Sequence, residues 1–160
     1  LFLVSPHDGG HEMFQNMAAL KAPAGAGKSV VVAPTIKELV NLDGDEVLTS
    51  APHQLAADNI KNSIGSNYTA PTVDALTKML AGNTIPEKVR LIVVDEAGAL
   101  NEKHLTLLAA AFAKRNRENP DSPIKLVMLY DPNQITPGNT SNAALDAGFL
   151  GDVSLAEKAY

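Results

Sequence analysis

Two stretches of this chain are apolar at every position and have the length of strands: Leu91-Ile92-Val93-Val94 and Leu126-Val127-Met128-Leu129-Tyr130. A strand that reads as a continuous apolar run is buried on both faces, which requires helices on both sides of its sheet. Between the two runs, Asn101–Arg117 carries Leu105, Leu108, Ala109 and Phe112 at spacings of three and four. That spacing makes one apolar stripe of a helix. Asn119-Pro120-Asp121-Ser122-Pro123 then breaks the chain before the next strand. Upstream the alternation repeats, with a strand predicted over Glu46–Ser50 and helices over His53–Ser63 and Val73–Leu80. The pattern predicts an α/β fold, a parallel sheet with helices on both faces.

Composition narrows the function classes. The chain has 160 residues, 45% apolar and 19% charged, enough for one buried core and unlike a disordered chain. No uninterrupted apolar run reaches the ~18 residues of a membrane span, and Leu1–Val4 lacks the basic flank of a secretory signal. There is no cysteine, which excludes disulfides, thiolate metal sites and cysteine nucleophiles and fits a reducing compartment. The net charge of −5 disfavours a broad phosphate-binding surface but allows a local one. Lys114, Arg115 and Arg117 cluster at the end of the long helix and read as a solvated end, where cations oppose the helix dipole.

The chemistry is concentrated in three segments. In Ala22-Pro23-Ala24-Gly25-Ala26-Gly27-Lys28-Ser29, small residues let successive backbone N–H groups turn inward around a phosphate. Lys28 is placed to reach the outer phosphates, and the Ser29 hydroxyl can hold Mg²⁺. A helix should begin near Lys28. Val30-Val31-Val32 and Pro34 leave two readings: a short helix to Ala33 with a second from Ile36, or a strand over Val30–Ala33. The second segment is Asp95-Glu96, two carboxylates where a buried strand ends. Ligands of open α/β sheets bind at the carboxyl ends of strands. There Asp95 can hold Mg²⁺ and Glu96 can deprotonate a water; the same pair could instead serve only as acids at a helix start. The third is Asp131-Pro132-Asn133-Gln134, which delivers an amide past the end of the next strand, or forms a plain turn. The loop Ser5–Glu12 contains His7, Asp8 and His11, but its two glycines argue against a rigid metal-ligating pair.

In this order, the segments resemble superfamily 1 helicases, in particular the RecD/Dda-like branch and the helicase parts of conjugative relaxases. Ala22–Ser29 resembles that family's motif I, and Val47-Leu48-Thr49-Ser50-Ala51-Pro52-His53-Gln54-Leu55-Ala56-Ala57 its motif Ia. Thr72-Val73-Asp74-Ala75-Leu76 is similar to the short threonine motif that follows. Val94-Asp95-Glu96-Ala97-Gly98 resembles motif II, and Asp131-Pro132-Asn133-Gln134-Ile135-Thr136-Pro137 motif III.

The resemblance implies a RecA-like P-loop fold with the motif III strand between those of motifs I and II. It implies ATP and Mg²⁺ as cofactors, cradled by Ala24, Gly25, Ala26, Gly27, Lys28 and Ser29. Lys28, Glu96 and Gln134 would be catalytic, and Ser29 and Asp95 would hold the metal. Pro52, His53 and Thr72 would lie along single-stranded nucleic acid, DNA rather than RNA. Gln15 could read adenine, although its spacing to the lysine loop is short.

On this reading residues 1–16 are a leader or the end of a preceding segment, 17–150 a first RecA-like motor domain, and 151–160 the start of a connection to a second RecA-like domain, which would act as partner. A weak ATP hydrolase of helicase type is expected from the first domain alone, with no membrane partner. The alternatives are a P-loop ATPase or binding module that moves no nucleic acid, and a vestigial domain. Two departures from the family's pattern motivate the last: Ala22 in place of glycine, and Tyr130 where a glycine ordinarily precedes the motif III aspartate.

Overall fold

The computed structural model of the chain describes residues 16–21 and 41–131. Four strands form one sheet: β1 (Met17–Lys21), β2 (Val47–Ser50), β3 (Leu91–Val94) and β4 (Lys125–Tyr130). Their spatial order is β1-β4-β3-β2, and every neighbouring pair is parallel. The strand expected to carry motif III therefore lies between those leading into motifs I and II. The register aligns Lys21 with Tyr130, Val94 with Met128 and Ser50 with Val94.

Side chains alternate across a strand, and the two resulting faces bury different helices. Val47, Leu91, Val93, Val127 and Leu129 pack with Ile60 and Ile64 of α1 (Gln54–Ile64). Leu48, Ile92, Val94, Leu126, Met128 and Tyr130 face a larger cluster. It includes Val73, Leu76 and Leu80 of α2 (Val73–Ala81) and Leu105, Leu108 and Phe112 of α3 (Glu102–Glu118). Helices thus cover both faces, as the doubly apolar strands require.

Local signals explain the boundaries. The Thr72 side chain accepts from Ala75 N–H and the Asn101 side chain from His104 N–H, capping α2 and α3. Helix α1 ends at Gly65, whose φ of 81° is open to glycine at little cost. The outer rim of β2 is covered by the segment that follows α1. Ser66 Oγ donates to Val47 O at 2.6 Å, Tyr68 Oη to Asp45 O at 2.7 Å, and Val73 N to Ala51 O at 2.9 Å. An edge protected in this way does not template further pairing.

The basic helix end differs from its sequence reading. Of its three cations only Arg117 is exposed. Arg115 is 4% exposed, and its Nη1 donates to Ser122 O at 2.6 Å and to Asn116 Oδ1 at 3.1 Å. Lys114 Nζ donates to Ala81 O and pairs with Glu118 at 3.0 Å. The physical reason is the 119–123 turn, which folds back on the helix and presents a carbonyl that needs a donor. Burial, and then the nearby charge of Arg90, lower the pKa of Arg115.

Candidate functional site

Because the four strands are parallel, their carboxyl ends share one edge of the sheet. Lys21, Ser50, Val94 and Tyr130 close the strands there. The segments that follow them in sequence are those carrying motifs I, Ia, II and III. β1 and β3 flank β4, so their ends are two strand spacings apart, about 10 Å.

At the end of β3 the backbone turns sharply. Asp95 N–H donates to Ser50 O at 2.9 Å, which ties the motif II segment to the end of β2. Asp95 is 4% exposed, and its Oδ1 accepts from Glu96 N–H at 2.9 Å. Glu96 sits at φ 52°, ψ 39°, in the left-handed region. A short 3-10 turn (Ala97–Ala99) follows, closed by Ala99 N–H to Glu96 O at 3.0 Å. The other non-glycine residues with positive φ are Asn16, Asn41 and Asn83 among the described residues. Asparagine tolerates that region; a glutamate there is strained, and such strain concentrates at functional sites. The reversal sets a buried carboxylate and a half-buried one at adjacent positions on the same edge.

Beside them, Ala51 forms an isolated parallel bridge with Thr72. That bridge brings Pro52 and His53 next to Thr72, although Thr72 lies a helix away in sequence. His53 is exposed and stands at the N-cap of α1 without a side-chain cap, and the first turn of α1 holds no acid. Among the described residues no side chain caps the amino end of α1, which carries the positive end of the dipole. Gln54 Nε2 donates to Ala70 O at 2.8 Å and to Asp58 Oδ1 at 3.0 Å, fixing this end against the 66–72 segment. Neither Gln54 nor Leu55, which is 75% exposed, stood out in the sequence. An exposed leucine has no local signature.

Residues 12–143 match the family model described as an AAA domain. This chain belongs to the AAA domain family. Among solved structures, it is similar to a Pif1 helicase from Bacteroides in complex with ADP-AlF3 and ssDNA, at 18% identity and a TM-score of 0.50, covering 84% of this chain and 33% of that one. It is also similar to a Pif1 helicase from Candida albicans, at 26% identity and a TM-score of 0.49, covering 78% and 31% of the two chains. No curated protein sequence matches it. The chain spans about a third of the length of those helicases. The Bacteroides likeness shows the fold alone: the AAA domain has a RecA-like architecture.

Of the expected site residues, the structure brings Asp95, Glu96, Pro52, His53 and Thr72 to one edge. Ala24, Gly25, Ala26, Gly27, Lys28, Ser29 and Gln134 lie outside the described residues. So do Gln15, the His7-Asp8-His11 loop, the two readings of Val30–Ala33, Ala22, and the limit drawn at residue 150. Tyr130, the other departure from the family's pattern, is 2% exposed and packs in the large apolar cluster of the AAA domain. Among the described residues no group of three His, Asp or Glu side chains could hold a metal. Mg²⁺ typically takes one or two carboxylates plus phosphate oxygens and water, and Asp95 is a hard oxygen donor of that kind. None of the described helices is long and apolar enough to cross a membrane.

Proposed function

We propose that this AAA domain binds ATP–Mg²⁺ at the carboxyl edge of its sheet and hydrolyses it as the first RecA-like motor domain of a superfamily 1 DNA helicase. The observation that carries the reading is the strand order β1-β4-β3-β2 combined with the strained turn Asp95-Glu96 at the end of β3. That order ends β1, after which the lysine loop follows in sequence, at the same edge as β3, which leads into the acidic pair. The Bacteroides Pif1 helicase of the same fold was solved with a nucleotide complex and ssDNA, which supports both ligand classes here.

In this proposal the backbone of 24–29 cradles the phosphates and Lys28 neutralises the β/γ oxygens. Ser29 and Asp95 would hold Mg²⁺, which when bound would neutralise charge on the phosphates. Glu96 takes a proton from water as the water oxygen bonds to the γ-phosphorus and the bond to the β–γ bridging oxygen breaks. ADP and phosphate leave, and Gln134 couples the γ-phosphate to the nucleic-acid site. Pro52, His53, Thr72 and the uncapped amino end of α1 contact the phosphates of single-stranded DNA. A second RecA-like domain acts as partner and supplies an arginine, worth ~10³–10⁵ in rate. The setting is cytoplasmic.

The test is ATP turnover and oligonucleotide binding by the same preparation. Glu96→Gln should lower kcat by ~10²–10⁴, the usual worth of a general base, with nucleotide affinity kept. His53→Ala should weaken oligonucleotide binding, which should itself fall with salt. The net charge of −5 and the 4% aromatic content favour a second reading, a P-loop ATPase that moves no nucleic acid. Absence of oligonucleotide binding even at low salt would select it.

A further inference from the structure

β3 stops at Val94, which pairs with Met128, whereas β4 continues to Tyr130. The last two residues of β4 therefore stand beside the Asp95–Ala99 turn, and β4 and the 3-10 turn are in contact. By strand alternation Tyr130 shares a face with Met128 and Leu126. That is the face on which Val94, Ala97 and Leu100 pack, and Tyr130 is 2% exposed in the same cluster. Within this turn Glu96 N bonds Asp95 Oδ1, Ala99 N bonds Glu96 O and Leu100 N bonds Ala97 O, while Asp95 N to Ser50 O anchors its start to β2. Such bonds close a turn but do not by themselves hold a glutamate in the left-handed region, which persists only when the surroundings over-determine it. A glycine at position 130 would leave a ring-sized void beside this turn, and a void forfeits packing on all its walls.

We propose that Tyr130 is a positioning residue: its buried ring supports the 95–99 turn and holds Glu96 in its left-handed conformation. The ring acts through the turn and is not assigned a contact with the nucleotide. The proposal deepens the catalytic reading of Glu96, and its test separates the two.

The first measurement is amide hydrogen exchange on the 160-residue chain, which reads local opening without reference to activity. In Tyr130→Leu, exchange at Glu96, Ala99 and Leu100 should rise roughly 10- to 100-fold, while Ala57 and Ile60 of α1 keep their protection. Tyr130→Phe, which keeps the ring, should retain protection at all of these. Unchanged exchange in the turn, or an equal rise in α1, would overturn the proposal. If Tyr130→Leu does not fold, Tyr130→Met fills more of the space and is read at the same amides. The second measurement is turnover. Tyr130→Leu should lower kcat about tenfold at constant KM, with no further loss when added to Glu96→Gln. A raised KM at constant kcat would overturn the positioning role. Faster exchange in the turn with kcat unchanged would uphold the ring's support of the turn and remove Glu96 as the base instead.

Discussion

Replacing Glu96 with glycine should make this protein more stable while removing the ATP turnover proposed for it. Glu96 sits at φ 52°, ψ 39°, a conformation that costs an L-residue about 1–2 kcal/mol and glycine almost nothing. Glycine also gives the unfolded chain more freedom, which returns about 0.4–1 kcal/mol of that gain. The backbone bonds Glu96 N–H to Asp95 Oδ1 and Ala99 N–H to Glu96 O do not depend on the side chain and survive the change. The net expectation is a stabilisation of about 0.5–1 kcal/mol, a rise in Tm of about 1–4 °C for a chain of this size. Glu96→Ala is the control, because it removes the carboxylate and keeps the strain. Urea and thermal unfolding of both variants beside the wild type decide the matter. The glycine variant should exceed the alanine variant, and both should lose turnover while keeping nucleotide affinity. A glycine variant no more stable than the alanine variant would refute the argument that this turn stores strain.

Three further outcomes are expected. Gly44→Ala should destabilise by about 1–3 kcal/mol in urea unfolding, because an added Cβ would meet Gly65 O at 2.6 Å and Asn67 Nδ2 at 2.8 Å, and one of these is backbone. Arg115→Ala should cost about 2–3 kcal/mol, with Arg115→Lys giving little rescue, since Nη1 bonds Ser122 O and the Asn116 amide that clasps both polar backbone groups of Ile124. Lys125 is held below its ordinary pKa of 10.5 by burial. The folded chain then sheds this proton before the unfolded chain does, so the contribution to stability is full above 10.5 and is lost as pH falls through the lowered value. Wild type should therefore gain stability over Lys125→Gln as pH approaches 10.5 from below, read by urea unfolding across the alkaline range.

Much of the fold was legible because burial imposes period. Glu46–Ser50 became Val47–Ser50, Leu91–Val94 was unchanged, and His53–Ser63 became Gln54–Ile64. β1 was implied only by the resemblance, and its residues carry no strand pattern of their own. Met-Ala-Ala-Leu-Lys consists of good helix formers, and it is a strand because β4 offers it a parallel partner, a tertiary effect that no local window contains. The basic end of α3 misled for a related reason: charge pattern announces solvent, but the Pro120–Pro123 turn returns over Arg115 and supplies the carbonyl that buries it. In the candidate site, the acidic pair was visible as a polar step at the end of an apolar strand. The left-handed backbone of Glu96 was not, since nothing in Val-Asp-Glu-Ala-Gly demands it. Thr72 was tied to His53 by family resemblance alone, and its bridge to Ala51 gives that pairing a physical basis.

In the proposed function a triphosphate is held between the lysine loop and the Asp95-Glu96 turn. Mn²⁺ in place of Mg²⁺, bound with ATP, broadens the signals of nearby amides. The account predicts selective loss of the Glu96 and Ala97 signals on adding Mn²⁺–ATP, abolished by Lys28→Ala. Broadening confined to the opposite edge of the sheet, around Arg90 and Lys125, or indifferent to Lys28→Ala, would contradict it.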